Sequence, residues 1–200
     1  MTHQPILLIL GCQKYRASLM AAIERMKHPS YYVIGLVGGV TEITFDGTLL
    51  SLPVEDSYEF LPKKIQAAFR WIHSTFPDTP GIFKTDEDIF FSDQHQLASE
   101  IERKAHVPYW GINVHFCGAG NVDLGRILKG DNHSIRATYP SAYYSFGHGY
   151  WVSREAIPIV CASNEYEGAF LEDVCMGHVL NKHGWRPLNV GIPYEERPRS

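Results

Sequence analysis

This sequence lacks the features that mark membrane, zinc-finger and nucleic-acid-binding proteins. Its apolar run from Ile6 to Leu10 is too short to cross a bilayer. The run also lacks the basic segment and the cleavage site of a signal peptide. None of the 4 cysteines forms a Cys-x-x-Cys pair, which argues against zinc and, at this size, against a disulfide scaffold. Lysine and arginine form no run, and the net charge of -4 argues against nucleic acid as the main partner.

What is present is the composition of one ordinary globular domain. The chain has 200 residues, of which 44% are hydrophobic and 20% are charged, so it can bury a real core. We therefore expect a single domain over residues 1–200. Reduced cysteines indicate a cytoplasmic or host-cytosolic protein, unless a membrane anchor lies outside this sequence.

Apolar periodicity predicts alternating strands and helices. Strands at Ile6–Leu10 and Tyr31–Val37 flank a helix at Tyr15–Met26, which is a βαβ unit. The alternation continues further along the chain and predicts an α/β sandwich around a mixed sheet. The further predicted helices cover residues 61–74, 92–105, 153–160 and 171–184, with Ser92 and Ser153 as N-caps, and the further strands cover 81–83 and 109–116, before a mostly irregular tail.

Three acids stand between two apolar segments in the run Lys84-Thr85-Asp86-Glu87-Asp88-Ile89. Carboxylates among apolar residues lose hydration and repel one another. A divalent cation would offset this cost and could hold a second anion, such as a pyrophosphate. A solvated acidic turn has the same composition, so the pattern by itself leaves both interpretations open.

Four segments, in order, resemble the β-1,3-galactosyltransferase-like family, which includes Fringe-like enzymes. The acidic run is similar to the family's Lys-x-Asp-Asp-Asp-Val-Phe. The other three segments are Asp56-Ser57-Tyr58-Glu59-Phe60-Leu61 with Lys64, Tyr144-Ser145-Phe146-Gly147-His148-Gly149-Tyr150 with Ser153, and Leu171-Glu172-Asp173-Val174 with Gly177. The chain departs from the family at Phe60 and Pro62, at Phe146, where the family has Ser or Gly, and in lacking the N-terminal Ile-Arg-x-Thr-Trp.

The resemblance implies a GT-A fold, which is a Rossmann-type α/β/α sandwich around a mixed, mainly parallel sheet. The nucleotide-binding half would cover about residues 1–91 and the acceptor half about 92–200. It also implies an inverting transfer, of the β-1,3 type, of a hexose from a UDP-sugar to a sugar hydroxyl of a glycan or glycoprotein. The implied cofactor is Mn²⁺ or Mg²⁺, and a Golgi lumen would be the compartment if an anchor lies outside this sequence.

The resemblance also implies roles for the acids. Asp88 would bind the metal, and Asp86 would contact the metal-bound water or the ribose. Asp173 would be the catalytic base, and we expect its position in the first turn of a helix to lower its pKa. Alternatively, Glu172 and Asp173 only complement the helix dipole.

Other residues are weaker candidates. Lys64 and Lys84 could pair with the acids or with phosphate, or form ordinary salt bridges, and Arg16 could reach the nucleotide. Gly147 and Gly149 would allow close approach of the donor sugar. The remaining candidates are His183 or His178 as a third metal ligand, and Tyr144, Tyr150 and Trp151 as stacking or core aromatics. Residues 117–133 form a long loop or a two-strand excursion and are a candidate mobile lid.

Two other functions remain open at this stage. A module that binds carbohydrate or nucleotide sugar without turnover would keep the fold, although intact Asp86, Asp88 and Asp173 speak against it. A metal-dependent nucleotidyltransferase or hydrolase would need a glycine-rich phosphate loop after the first strand. The segment Gly11-Cys12-Gln13-Lys14 is a poor version of such a loop.

Overall fold

A mixed β-sheet with helices on both faces forms the centre of the computed structural model, which describes residues 3–123 and 136–197. The described helices are α1 (Arg16–Arg25), α2 (Leu61–Thr75), α3 (Gln94–Arg103), α4 (Ile157–Ala162) and α5 (Glu172–Asn181). The described strands are β1 (Ile6–Leu10), β2 (Tyr32–Val37), β3 (Thr44–Phe45), β4 (Leu49–Ser51), β5 (Gly81–Asp86), β6 (Ile89–Phe91), β7 (Tyr109–Gly111), β8 (Val114–Cys117), β9 (Gly120–Asp123), β10 (Arg136–Tyr139), β11 (Ala142–Ser145), β12 (Tyr150–Ser153), β13 (Leu188–Asn189) and β14 (Tyr194–Glu196).

The main sheet has eight strands in the order β13-β7-β12-β5-β1-β2-β4-β3. The pairs β13–β7, β5–β1, β1–β2 and β2–β4 are parallel, and the other three pairs are antiparallel. This confirms the predicted α/β fold with a mixed, mainly parallel sheet. Strands from both the early and the late parts of the sequence share this one sheet.

Apolar residues on both faces of the sheet create two cores and therefore three layers. In β1, Ile6, Leu8 and Leu10 face one core while Leu7 and Ile9 face the other, as alternation along a strand requires. Helices α2, α4 and α5 cover the first face, and α1 and α3 cover the second. A strand that is apolar on both sides is typical of a parallel sheet covered by helices, which is why β1 was predictable.

The parallel strands β1, β2 and β5 end at the same edge of the sheet. Leu10, the last residue of β1, is in register with Asp86, the last residue of β5. The N–H of Gly11 donates to the carbonyl of Leu36 at 2.9 Å, so the ends of β1 and β2 are also held together. Ligands of open α/β sheets bind at the carboxyl ends of the strands, so we expect a binding site at this edge.

Two predicted elements differ in the structure. The strand expected at residues 109–116 is divided into β7 and β8, because Asn113 adopts φ 55° and turns the chain. The tail expected to be irregular contains β13, which pairs with β7, and β14, which pairs with β6.

Both predicted serine caps are wrong. Asp93 caps α3, since its Oδ1 accepts from the N–H of Gln96 at 2.9 Å, and its carboxylate takes the role expected of Ser92. Ser153 lies in β12, and Ala156 precedes α4 without a side-chain cap.

The predicted excursion after Cys117 is present in part. Strand β9 lies within the predicted segment and pairs with β10 in an antiparallel ribbon. Strand β10 begins at Arg136, beyond the end of that segment. Residues 124–135 lie outside the described part of the chain, and with them most of the segment considered as a lid. No helix in the described ranges is long and apolar enough to span a bilayer.

Candidate active site

A buried lysine is the centre of the site. Lys84 lies in β5 with only 1% of its side chain exposed, and its Nζ is 2.8 Å from Oδ1 of Asp86 and 3.2 Å from Oε2 of Glu172. The same ammonium donates to the carbonyl of Gly147 at 3.2 Å. Burial alone would lower the pKa of Lys84, but the charges of Asp86 and Glu172 outweigh it and the pKa is raised. Lys84 therefore stays charged and joins three of the segments that carry the resemblance.

Glu172 is held on two sides. It is the first residue of α5, and its carboxylate is buried, ion-paired to Lys84 and hydrogen-bonded by the hydroxyl of Tyr150. Because both of its oxygens already have protein partners, Glu172 is suited to positioning the start of α5 rather than to accepting a proton from a substrate.

Asp173 follows in the first turn of α5 and remains partly exposed. The expected lowering of its pKa is wrong: burial and the charge of Glu172 raise the pKa of Asp173 to about 7, against the opposing effect of Lys84. The charge of Asp86 also raises this pKa. Loss of hydration and the neighbouring negative charges therefore outweigh the lowering expected at the start of a helix.

The Asp86 and Asp88 side chains do not share one strand. Strand β5 ends at Asp86, and Asp88 lies in the turn to β6, where its carbonyl accepts from the N–H of Arg197 at 2.7 Å. The ammonium of Lys84 forms an ion pair with Oδ1 of Asp86, and among the described residues this buried oxygen has no other partner. Glu87 is buried between the two, and its N–H donates to the carbonyl of Leu10 at 3.0 Å.

These two carboxylates fit a hard divalent cation. Within residues 3–123 and 136–197, the structure brings together no group of three or more His, Cys, Asp or Glu side chains that could form a metal cage. Cations such as Mg²⁺ are commonly held by one or two carboxylates together with substrate phosphates and water, so a complete protein cage is not required. Asp86 ends β5 and Asp88 follows it in the turn to β6, and both supply the hard carboxylate oxygens that such a cation binds.

Gly147 and Gly149, both predicted to allow close approach of the donor sugar, have different surroundings. A Cβ at Gly147 would lie 3.1 Å from Oδ2 of Asp86 and 3.2 Å from Nζ of Lys84, so this glycine is part of the site. A Cβ at Gly149 would lie 2.7 Å from the ring of Phe83 in the core. Gly149 is therefore small because the core needs the space, and its expected contact with a donor is not supported.

Lys64 does not pair with the Asp86 cluster. Its buried ammonium donates to Oδ1 of Asp56 at 2.6 Å and to the carbonyl of Gly11 at 2.8 Å. Asp56 in turn accepts from the N–H of Gln13 at 2.5 Å and of Gly38 at 3.0 Å. This network fixes the loops that follow β1 and β2, so Lys64 shapes the edge of the sheet from within.

Arg16 is exposed in the first turn of α1, just after these loops. Its Nη1 donates to Oε1 of Gln13 at 3.3 Å, a contact at the surface. This location, at the carboxyl end of β1, is compatible with the predicted reach toward a nucleotide.

The histidines chosen from the sequence are not brought to the acids. His183 is exposed beyond the end of α5, with its ring 6.3 Å from that of Trp185. The rest of α5 after Asp173, residues 174–181 at about 1.5 Å each, separates the two residues. His178 faces Glu165, with 3.9 Å between Nε2 and Oε2.

Sequence reasoning missed His148, whose backbone is hydrogen-bonded to Thr85, the residue before Asp86. Its carbonyl accepts from the Thr85 hydroxyl at 2.7 Å, and its ring contacts Tyr194 at 3.0 Å and Glu196 at 3.0 Å. The sequence feature that could have indicated His148 is its position between Gly147 and Gly149. A residue inside a glycine-rich motif at the edge of a site is held close to that site.

The predicted stacking aromatics divide between core and surface. Tyr150 and Trp151 are fully buried and belong to the core. Tyr144 is partly exposed, and burial followed by the charge of Asp173 raises the pKa of its hydroxyl to about 12. Of the three, only Tyr144 is available to a ligand.

Comparison with solved structures identifies the type of fold. Two crystal structures of Rv0371c from Mycobacterium tuberculosis H37Rv, one of them in complex with manganese, are similar to this chain, each with a TM-score of 0.51. The sequence identities are 13% and 14%, over 95% and 96% of this chain and 89% and 92% of theirs. The protein thus has an α/β fold of the GT-A-like type.

The family follows from the sequence match. The model of the galactosyltransferase family matches residues 40–190, so the chain belongs to that family, whose general activity is glycosyl transfer. None of the curated proteins compared matches the chain.

Proposed function

We propose that this protein is a metal-dependent inverting glycosyltransferase. It would move a hexose from a UDP-sugar to a sugar hydroxyl of a glycan or glycoprotein, forming a β-1,3 linkage. The observation that supports this proposal best is that Asp86 and Asp173 both lie close enough to Lys84 to interact with its charge. One acid, Asp86, would bind the metal and the donor diphosphate, and the other, Asp173, is suited to accepting a proton.

Asp173 has the properties of a general base. A pKa of about 7 leaves the carboxylate partly ionised at neutral pH and makes it a stronger proton acceptor than an ordinary aspartate. As the acceptor oxygen attacks the anomeric carbon, its proton would pass to Asp173. The bond between that carbon and the β-phosphate oxygen breaks, and UDP leaves with the electron pair from the face opposite the attack.

The other groups bind and orient the donor. Asp86 and Asp88 would hold Mn²⁺ or Mg²⁺, which when bound neutralises charge on the leaving diphosphate. Lys84 keeps Asp86 in place, and Gly147 leaves room beside it. Arg16, exposed just after the end of β1, would meet the nucleotide, and Lys64 and Asp56 fix the loops at this edge.

Hydrolysis of UDP-sugars tests this proposal without a known acceptor. We expect wild-type protein with Mn²⁺ to release UDP slowly from at least one of UDP-galactose, UDP-glucose and UDP-N-acetylglucosamine. With water as the acceptor, UDP release should fall by on the order of 10²-fold or more in Asp173→Asn, while donor affinity is retained.

Asp78→Asn is the matched control, because Asp78 is a surface acid paired with Arg154. It should behave as wild type. Mn²⁺-dependent binding of UDP-sugars without any release of UDP would instead identify a non-catalytic nucleotide-sugar-binding module.

A further inference from the structure

An exposed aromatic surface adjoins the site, on the ribbon formed by β8 and β11. Tyr144 is paired with His115 across this ribbon, and Tyr143 with Phe116. Since side chains alternate between the faces of a strand, Tyr144 and His115 share one face and Tyr143 and Phe116 the other.

Phe146 completes the first face. Its ring centroid is 4.4 Å from that of His115 and 5.5 Å from that of Tyr144. His115 is exposed, and Tyr144 and Phe146 are partly exposed. We call these three rings the aromatic platform. Phe146 occupies a position at which the corresponding segment of the β-1,3-galactosyltransferase-like family has Ser or Gly, so this ring distinguishes the present chain from that pattern.

The platform is anchored against both acids. Helix α5 packs closely on β11, since a Cβ at Gly177 would lie 2.6 Å from Cβ of Tyr144, and this holds Tyr144 near Asp173. Phe146 is followed directly by Gly147, whose carbonyl accepts from Nζ of Lys84, and a Cβ added at Gly147 would lie 3.1 Å from Oδ2 of Asp86. A ligand on the platform would therefore have one edge at the proposed base and the rest in solvent.

We propose that the aromatic platform binds the acceptor, by stacking a neutral sugar ring on Phe146, His115 and Tyr144. Sugar rings present an apolar C–H face that suits an aromatic surface. Unlike the neighbourhood of Lys84, the three rings carry no fixed positive charge that would attract a diphosphate. This inference rests on the proposed function, because Asp173 must lie within hydrogen-bond reach of the acceptor hydroxyl.

Binding of methyl β-D-galactopyranoside, methyl β-D-glucopyranoside and lactose tests the platform. Saturation-transfer NMR should show binding of at least one of them to wild-type protein in the presence of UDP and Mn²⁺. The dissociation constant should rise by about 3- to 10-fold in Phe146→Ser and in His115→Ala, and Phe146→Tyr should restore it. The exposed position of His115 keeps that variant free of folding effects.

Phe116→Ala is the matched control, since Phe116 is 61% exposed on the opposite face of the same ribbon, and it should bind as wild type. Equal affinities in all variants, or no saturable binding of the three sugars, would overturn the platform. A higher KM for UDP-sugar hydrolysis with unchanged glycoside affinity would assign the rings to the donor and also overturn it. Absence of any Mn²⁺-dependent UDP-sugar hydrolysis or binding would instead refute the proposed function itself.

Discussion

At the scale of single residues, neighbouring acids with different surroundings have different tasks. Glu172 has two strong partners, Lys84 and Tyr150, and is committed to structure. Asp173 forms no ion pair with any residue that the structure describes, keeps partial access to solvent, and has its pKa raised to about 7. Two carboxylates that follow each other in sequence thus differ because of what the fold places around each.

The raised pKa of Asp173 predicts a pH-dependent stability. Folded protein holds a proton that the unfolded chain, with an ordinary pKa of 3.8, releases, so this group lowers the free energy of unfolding as the pH rises from about 4 to about 7. Asp173→Asn should remove this slope and become more stable than wild type toward pH 7. Urea unfolding across this range, without metal or donor, measures the difference. Parallel stability curves would refute the shift.

At the scale of elements, the last described strand supports the acidic turn. Strand β14 pairs with β6 directly after Asp88, and the Arg197 N–H donates to the Asp88 carbonyl. Strand β14 is not part of the eight-strand sheet, and its contact with the core is made by the partly buried Tyr194, so it can hold this turn while contributing little to the core.

Deletion of residues 194–200 should therefore weaken the site more than the fold. We expect Mn²⁺-dependent UDP affinity, measured by calorimetry, to fall by about 10-fold, as is usual when groups that support metal ligands are lost. The far-UV circular dichroism should still show the folded α/β core. Deletion of residues 198–200 alone is the control, and equal UDP affinity in both truncated proteins would contradict a supporting role for β14.

At the scale of the whole molecule, one buried network joins distant parts of the chain. Lys84 lies in the centre of the sheet, Tyr150 on the adjacent strand β12 and Glu172 at the start of α5. The network therefore connects the strand that carries Asp86 to the helix that carries Asp173.

Breaking this network from one side should be costly. Lys84→Met leaves the buried charge of Glu172 unpaired and should lower the free energy of unfolding by about 3–5 kcal/mol. Adding Glu172→Gln should recover part of the loss, as a double-mutant cycle in guanidinium would show. Lys27→Met removes an exposed ion pair with Glu24 and should change little. Simple additivity of the Lys84 and Glu172 changes would argue against their coupling.

The order of strands and helices was largely readable from the sequence. The run Ile6–Leu10 is apolar on both faces, and the helical spacing of Leu61, Ile65, Phe69 and Ile72 matches α2. Boundaries were harder, because the break at Asn113 and the pairing of Tyr194–Glu196 with β6 depend on backbone partners far away in sequence.

The sequence by itself determined the α/β class, the family and the segments around Asp86 and Asp173, because apolar periodicity and short motifs are local. Only the tertiary structure decided that Lys64 pairs with Asp56, that the backbone of His148 is held against Thr85 while His183 lies away from the acids, and that the Asp173 pKa rises. Those outcomes depend on which side chains meet and how much water they lose, and both are set by contacts between residues distant in the chain.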